Sequence, residues 1–238
     1  MALSLDKEVE KVKLTLDKVT TGDVPPVQVE LLADVSGSMG SAYTQRGWMY
    51  PILQRTIALA SVIDPDKVVQ LTIFDTSATS LGDFGVDKFE SIYKAFDGKV
   101  GGGTDYESAF NQVLSNRNSP VQKAKGFFGS LFGKKDNSAA KSTSKEPSLI
   151  VFFTDGEDGG STSSFLKAVD KVLDGNTYLL CIGAGGSEYS YRTLKQLADQ
   201  RSDVGYVYFD KPHNLTDDQF YNTVLSGEFG EWLKQFSA

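Results

Sequence analysis

The chain has 238 residues, enough for one α/β domain with a sizeable core, and its 40% apolar content excludes global disorder. A formal net charge of −7 argues against a general nucleic-acid binder, which needs a basic face. The one cysteine, Cys181, lies in an apolar run, so no intramolecular disulfide forms and a reducing compartment is expected.

The opening stretch MALSLDKEVEKVKL mixes charged and apolar residues without a continuous apolar core, so it does not read as a secretory signal. Residues 1–26 are expected to form an N-terminal extension, compatible with an edge strand or hairpin or with a short amphipathic helix, ending at Pro25-Pro26. Nothing approaches the ~18 apolar residues of a membrane span. The expectation is a soluble, cytoplasmic protein with neither a nucleic-acid nor a membrane partner.

Residues 27–238 are expected to form the domain itself. Val27 to Ala33 is an aliphatic run that ends abruptly in Asp34, Ser36, Gly37 and Ser38, the pattern of a buried strand running into a turn. Tyr50 to Ile63 has helical spacing and stops before Pro65. Trp48, Met49 and Tyr50 read as packing residues at its start. Lys67 to Phe74 is the next strand, with Thr79 to Phe84 as a short partner; the turn FDTSATS accounts for Asp75 without a metal. Asp87 to Phe96 places Phe89, Ile92, Tyr93 and Phe96 on one helical face.

Gly101-Gly102-Gly103-Thr104-Asp105 frees the backbone for a close approach, and Asp105 is placed to cap a helix that buries Ala109, Phe110, Val113 and Leu114. Ser148 to Phe153 is apolar throughout, as a central parallel strand requires. It runs into Thr154-Asp155-Gly156-Glu157-Asp158, where Glu157 and Asp158 read as a solvent-facing approach to a helix capped by Ser161 or Thr162. A strand from Thr177 to Ile182, a helix from Tyr191 to Gln200, a strand from Gly205 to Phe209 and a closing helix near Asp217 to Phe236 complete the order. His213 falls in a solvated loop. Strands alternating with helices through short loops predict a doubly wound, mostly parallel sheet with helices on both faces.

One segment departs from this pattern. Across residues 117–147, seven basic side chains (Arg117, Lys123, Lys125, Lys134, Lys135, Lys141, Lys145) face Asp136 and Glu146 alone. It reads either as a solvated insertion or as a basic, aromatic docking element centred on Gly126 to Lys135, GFFGSLFGKK.

Three loops at strand C-terminal ends carry oxygen donors: Asp34, Ser36 and Ser38, then Thr104, then Asp155. Open α/β sheets bind ligands outside those ends, and loops after neighbouring central strands lie side by side. An all-oxygen donor set suits a hard divalent cation, Mg²⁺ above all and Mn²⁺ or Ca²⁺ as alternatives, rather than zinc. DVSGSMG at 34–40, GGTD at 102–105 and TDG at 154–156 resemble the metal-ion-dependent adhesion site (MIDAS) of the von Willebrand factor A (vWA) domain. Asp34, Ser36, Ser38, Thr104 and Asp155 match all its positions.

The resemblance implies that Ser36, Ser38 and Thr104 touch the metal while Asp34 and Asp155 act partly through water or hydroxyls. It also implies that an Asp or Glu of a protein partner fills an open position. The opening MALSLDKEVEKVKLTLDK is similar to the start of tellurite-resistance (Ter-type) proteins, which places the expected role in a bacterial or phage stress-response assembly. An alternative function is a metal-dependent phosphohydrolase with Asp34 as nucleophile. That chemistry usually wants a second acid two positions on, where this chain has Ser36. Neither glycine run fits a nucleotide-binding fingerprint.

Overall fold

The apolar runs fold as strands β1 (Gln28–Asp34), β2 (Val68–Phe74), β3 (Ala78–Gly85), β4 (Ser148–Thr154), β5 (Thr177–Ala184) and β6 (Val204–Phe209). They form one six-stranded sheet in the order β3-β2-β1-β4-β5-β6. Every pair is parallel except the β2–β3 hairpin. This computed structural model describes residues 2–19, 25–44, 47–119, 146–225 and 227–236. The Lys-rich segment, including Gly126 to Lys135, therefore lies outside the described residues except at its two ends.

The helices among the described residues are α1 (Ala2–Val19), α2 (Met49–Ile63), α3 (Phe89–Ala95), α4 (Tyr106–Arg117), α5 (Thr162–Val172), α6 (Arg192–Gln200), α7 (Asp217–Val224) and α8 (Gly227–Lys234). β1 and β4 are apolar on both faces because helices cover both. Val29, Leu31, Ala33, Val151 and Phe153 pack under α1, α2, α3, α7 and α8. Leu32, Ile150 and Phe152 pack under α4, α5 and α6. The doubly wound sheet predicted from the alternation is the fold observed.

The 1–26 stretch, left open between strand and helix, is helical. Val12 and Leu16 sink into the core, and Lys11 of α1 and Arg55 of α2 both bind Asp217 at the start of α7. Tyr221 donates its hydroxyl to Glu8 at 2.9 Å. The closing helix expected over 217–236 is two helices, broken ahead of Gly227, a residue that opposes helix continuation. The helix expected from Asp87 begins as a 3₁₀ turn over Val86–Lys88.

Arg117 corrects the sequence expectation most sharply. Its composition groups it with the lysines that follow, but as the last residue of α4 it turns inward at the N-terminal end of the sheet. Its guanidinium donates to Glu30 Oε1 at 2.6 and 3.0 Å, to Ser148 Oγ at 3.0 Å, to Thr177 Oγ1 at 3.1 Å and to the Val172 carbonyl at 3.2 Å. Glu30 is buried, so this fork of donors keeps its charge from being stranded.

Candidate metal centre

At the opposite end of the sheet, β1 finishes with Asp34 fully buried. The alternation that sends Val29, Leu31 and Ala33 to one face sends Leu32 and Asp34 to the other. The chain then turns through Ser36 into a 3₁₀ turn, Gly37–Ser41. Asp34 Oδ1 accepts the Ser36 N–H at 2.7 Å, and Oδ2 accepts the Thr154 hydroxyl at 2.6 Å. Burial outweighs these bonds and pushes the Asp34 carboxyl up to about 6.

The donors stand above this buried base. Ser36 Oγ and Ser38 Oγ share a hydrogen bond at 3.1 Å, and Ser38 Oγ donates to Asp155 Oδ1 at 2.7 Å. Burial raises the Asp155 carboxyl as well, against the Ser38 hydrogen bond that lowers it. Thr104 arrives on the glycine loop, which backbone bonds tie down on both sides. Gly101 N–H donates to Val35 O, Gly37 N–H to Gly102 O, and Gly159 N–H to Thr104 O, at 2.8, 3.1 and 2.8 Å.

One glycine is required here: Gly102 has φ +75°, and a Cβ there would lie 3.0 Å from Asp75 Oδ2. Gly156 lies beside the two hydroxyls, where a Cβ would be 3.8 Å from Thr104 Oγ1 and 3.9 Å from Ser38 Oγ, ordinary contact distances. The five residues singled out in the sequence thus converge on one crevice at the C-terminal ends of β1 and β4. No lysine or arginine among the described residues pairs with Asp34 or Asp155. The donor set is all oxygen, with hydroxyls on three of its five residues, and fits a hard divalent cation that keeps some water.

Several residues around the site play parts that the sequence reading did not give them. Thr154 lies on the same sheet face as Asp34, and strand alternation along β4 would have found it. Tyr43 donates to the Asp34 carbonyl at 2.9 Å, and Tyr106 to the Gly156 carbonyl at 2.5 Å. Asp105 occupies the N-cap position of α4 but makes no side-chain cap bond. Asp158, expected to face solvent, accepts the Tyr106 N–H at 3.2 Å and the Gly160 N–H at 3.0 Å instead. Ser161 is the cap of α5.

Leu114, expected to be buried with Ala109, Phe110 and Val113, is only partly buried. Asp75 accepts the N–H and hydroxyl of Ser77 within its turn, and His213 is exposed. Met49 is buried, Trp48 lies tilted against Phe153 with ring centroids 5.5 Å apart, and Tyr50 meets Tyr43 edge-on at 6.2 Å.

A family model for the vWA domain found at the TerF C terminus matches residues 26–129 and 130–238. Among solved structures, a von Willebrand factor type A protein from Catenulispora acidiphila shares 15% identity at a TM-score of 0.54, over 88% of this chain and 44% of that one. Proximal thread matrix protein 1 from the mussel byssus shares 16% at 0.53, over 84% of this chain and 47% of that one. The vWA domain of SpRpn10 shares 12% at 0.54, over 83% and 94%. The chain thus spans less than half the length of the first two, and at these identities the likeness is one of fold. No curated protein matches it.

Proposed function

The chain belongs to the family of vWA domains found at the TerF C terminus, and on that premise we propose that it is a Mg²⁺-dependent protein-interaction module. Ser36, Ser38 and Thr104 offer hydroxyl ligands, Asp155 a carboxylate ligand, and Asp34 a buried negative charge beneath them. When bound, Mg²⁺ supplies a concentrated positive charge with room for an oxygen from outside the chain. The chain's own residues leave that place open, and an Asp or Glu of the partner takes it. Mn²⁺ or Ca²⁺ suits the same oxygens.

One observation carries this reading: two carboxylates lie in a hydroxyl-lined crevice with no side-chain cation from the described residues to balance them. Members of the fold family commonly serve as interaction modules. The match to TerF-type vWA domains supports a setting in a tellurite-resistance or related stress assembly. The phosphohydrolase alternative finds no support in Asp34, which is fully buried with both oxygens hydrogen-bonded, a poor posture for a nucleophile. No helix among the described residues is long and apolar enough to cross a membrane.

Calorimetric titration with MgCl₂ tests the site directly. Wild type should bind one equivalent, and Asp34→Asn and Thr104→Ala should bind far more weakly while melting cooperatively. Equal binding by all three would place the cation elsewhere. Capture of a partner in Mg²⁺ but not in EDTA, lost in Asp34→Asn, would then establish recognition through the site.

A further inference from the structure

The two edges of the sheet are built differently. β3 carries Ser80, Gly82 and Asp83, and its pairing with β2 slips between Leu71 and Thr72. Polar, irregular edges of this kind resist the addition of another strand. β6 reads VGYVYF and pairs with β5 without a slip, from Leu179↔Val204 to Ala184↔Phe209. Leu179 N–H donates to Asp203 O and Gly185 N–H to Phe209 O, both inward. Because peptide groups alternate along a parallel ladder, those of Gly205 and Val207 also face β5, whereas those of Tyr206 and Tyr208 face outward. Among the described residues, no backbone partner meets these outward groups.

A groove of about 720 Å³ runs along this edge over Tyr206, Val207 and Tyr208, from Asp199 of α6 to Glu228 of α8. The Tyr206 hydroxyl lining it is buried and has no hydrogen-bond partner among the described residues. A second groove, of about 580 Å³, continues past Tyr208 and Phe209. Glu188, Asp199 and Glu228 face the first groove against Lys195 alone, and Lys195 is held by Glu188 at 3.3 Å.

We propose that the open edge of β6 accepts an extended, lysine- or arginine-bearing segment of a protein partner as a seventh strand. The outward peptide groups of Tyr206 and Tyr208 supply the ladder, and the Tyr206 hydroxyl meets a polar group of the added segment. Asp199 and Glu228 take its cations. A second copy of this chain does not fit, because pairing β6 with β6 would set the same carboxylates against each other. The site is independent of the metal crevice.

Fluorescence anisotropy with a labelled (Lys-Val)₄ peptide on the full chain in EDTA tests the proposal, with (Glu-Val)₄ as control. The basic peptide should bind and the acidic one should not. Asp199→Lys with Glu228→Lys, both exposed positions, should weaken binding at least tenfold. Tyr206→Pro, which removes an outward N–H and leaves the β5 ladder, should do the same while the chain still melts cooperatively. Binding should also slow hydrogen exchange at the Tyr206 and Tyr208 amides of wild type. Equal binding of both peptides, no binding at all, or loss on charge reversal without added protection of those amides would overturn strand addition. Binding seen only after deletion of residues 121–145 would show that the chain's own segment holds the edge, and would overturn the assignment to a partner.

Discussion

Glu30 and Asp34 point from the same face of β1, one near each end of the strand, and the fold treats them in opposite ways. Glu30 is met by the Arg117 guanidinium, which is itself held by the Ser148 and Thr177 hydroxyls, all supplied by the chain. Asp34 receives only neutral donors, a backbone N–H and a threonine hydroxyl, and its carboxyl is held up near 6. Where a buried charge locks the sheet, the sequence carries the countercharge. At Asp34 no countercharge comes from the described residues, and in the function proposed above a cation from outside meets it. The contrast separates the two carboxylates by their partners, without any appeal to motif.

The largest expected effect comes from breaking the self-sufficient end. Arg117→Met should cost about 3 kcal/mol in urea unfolding, because it strands the Glu30 carboxylate; adding Glu30→Gln should recover much of that loss. The other end should respond to solution instead. Mg²⁺ at a hundred times its dissociation constant should stabilise wild type by about 2.7 kcal/mol and raise the melting temperature, and Asp34→Asn should gain nothing.

In metal-free buffer the sign reverses. The folded Asp34 carboxyl titrates near 6, above the ordinary carboxylate value, so between about pH 4 and pH 6 the folded state holds more protons than the unfolded one. Its contribution to stability therefore falls as pH rises through that window. Asp34→Asn should be more stable than wild type by about 1 kcal/mol at pH 7 and show no gain at pH 4, by chemical denaturation in EDTA. The smallest effect is Thr177→Val, which removes one hydroxyl from the Arg117 network and should cost roughly 0.5–1 kcal/mol.

The features legible in the sequence were those whose cause is local. Val27 to Ala33 and Ser148 to Phe153 are apolar enough to need cover on both faces, and each runs into an aspartate followed within three residues by a glycine. Those two facts were enough to predict the strands, their parallel setting and the acidic loops at their ends. What escaped was decided by distant partners. Arg117 has the same composition signal as the lysines after it; only the docking of α4 through Phe110 and Val113 turns it toward Glu30. Asp105 carries the local capping signal but makes no cap bond, and the tertiary approach of the two loops gives the first N–H of α4 to Asp158. The mixed pattern of residues 2–19 became a helix because Val12 and Leu16 found a core made mostly of later residues.

That last dependence has a bearing on how the chain is made. Lys11 and Arg55 leave the ribosome well before the carboxylate that joins them, since Asp217 follows Lys11 by 206 residues. At ordinary rates of synthesis that is a wait of about 10–40 s. Throughout it, α1 and α2 carry two unanswered cations and an uncovered apolar seam. The α1 helix is therefore made long before the ion pairs that lock it, and those pairs close only when α7 emerges.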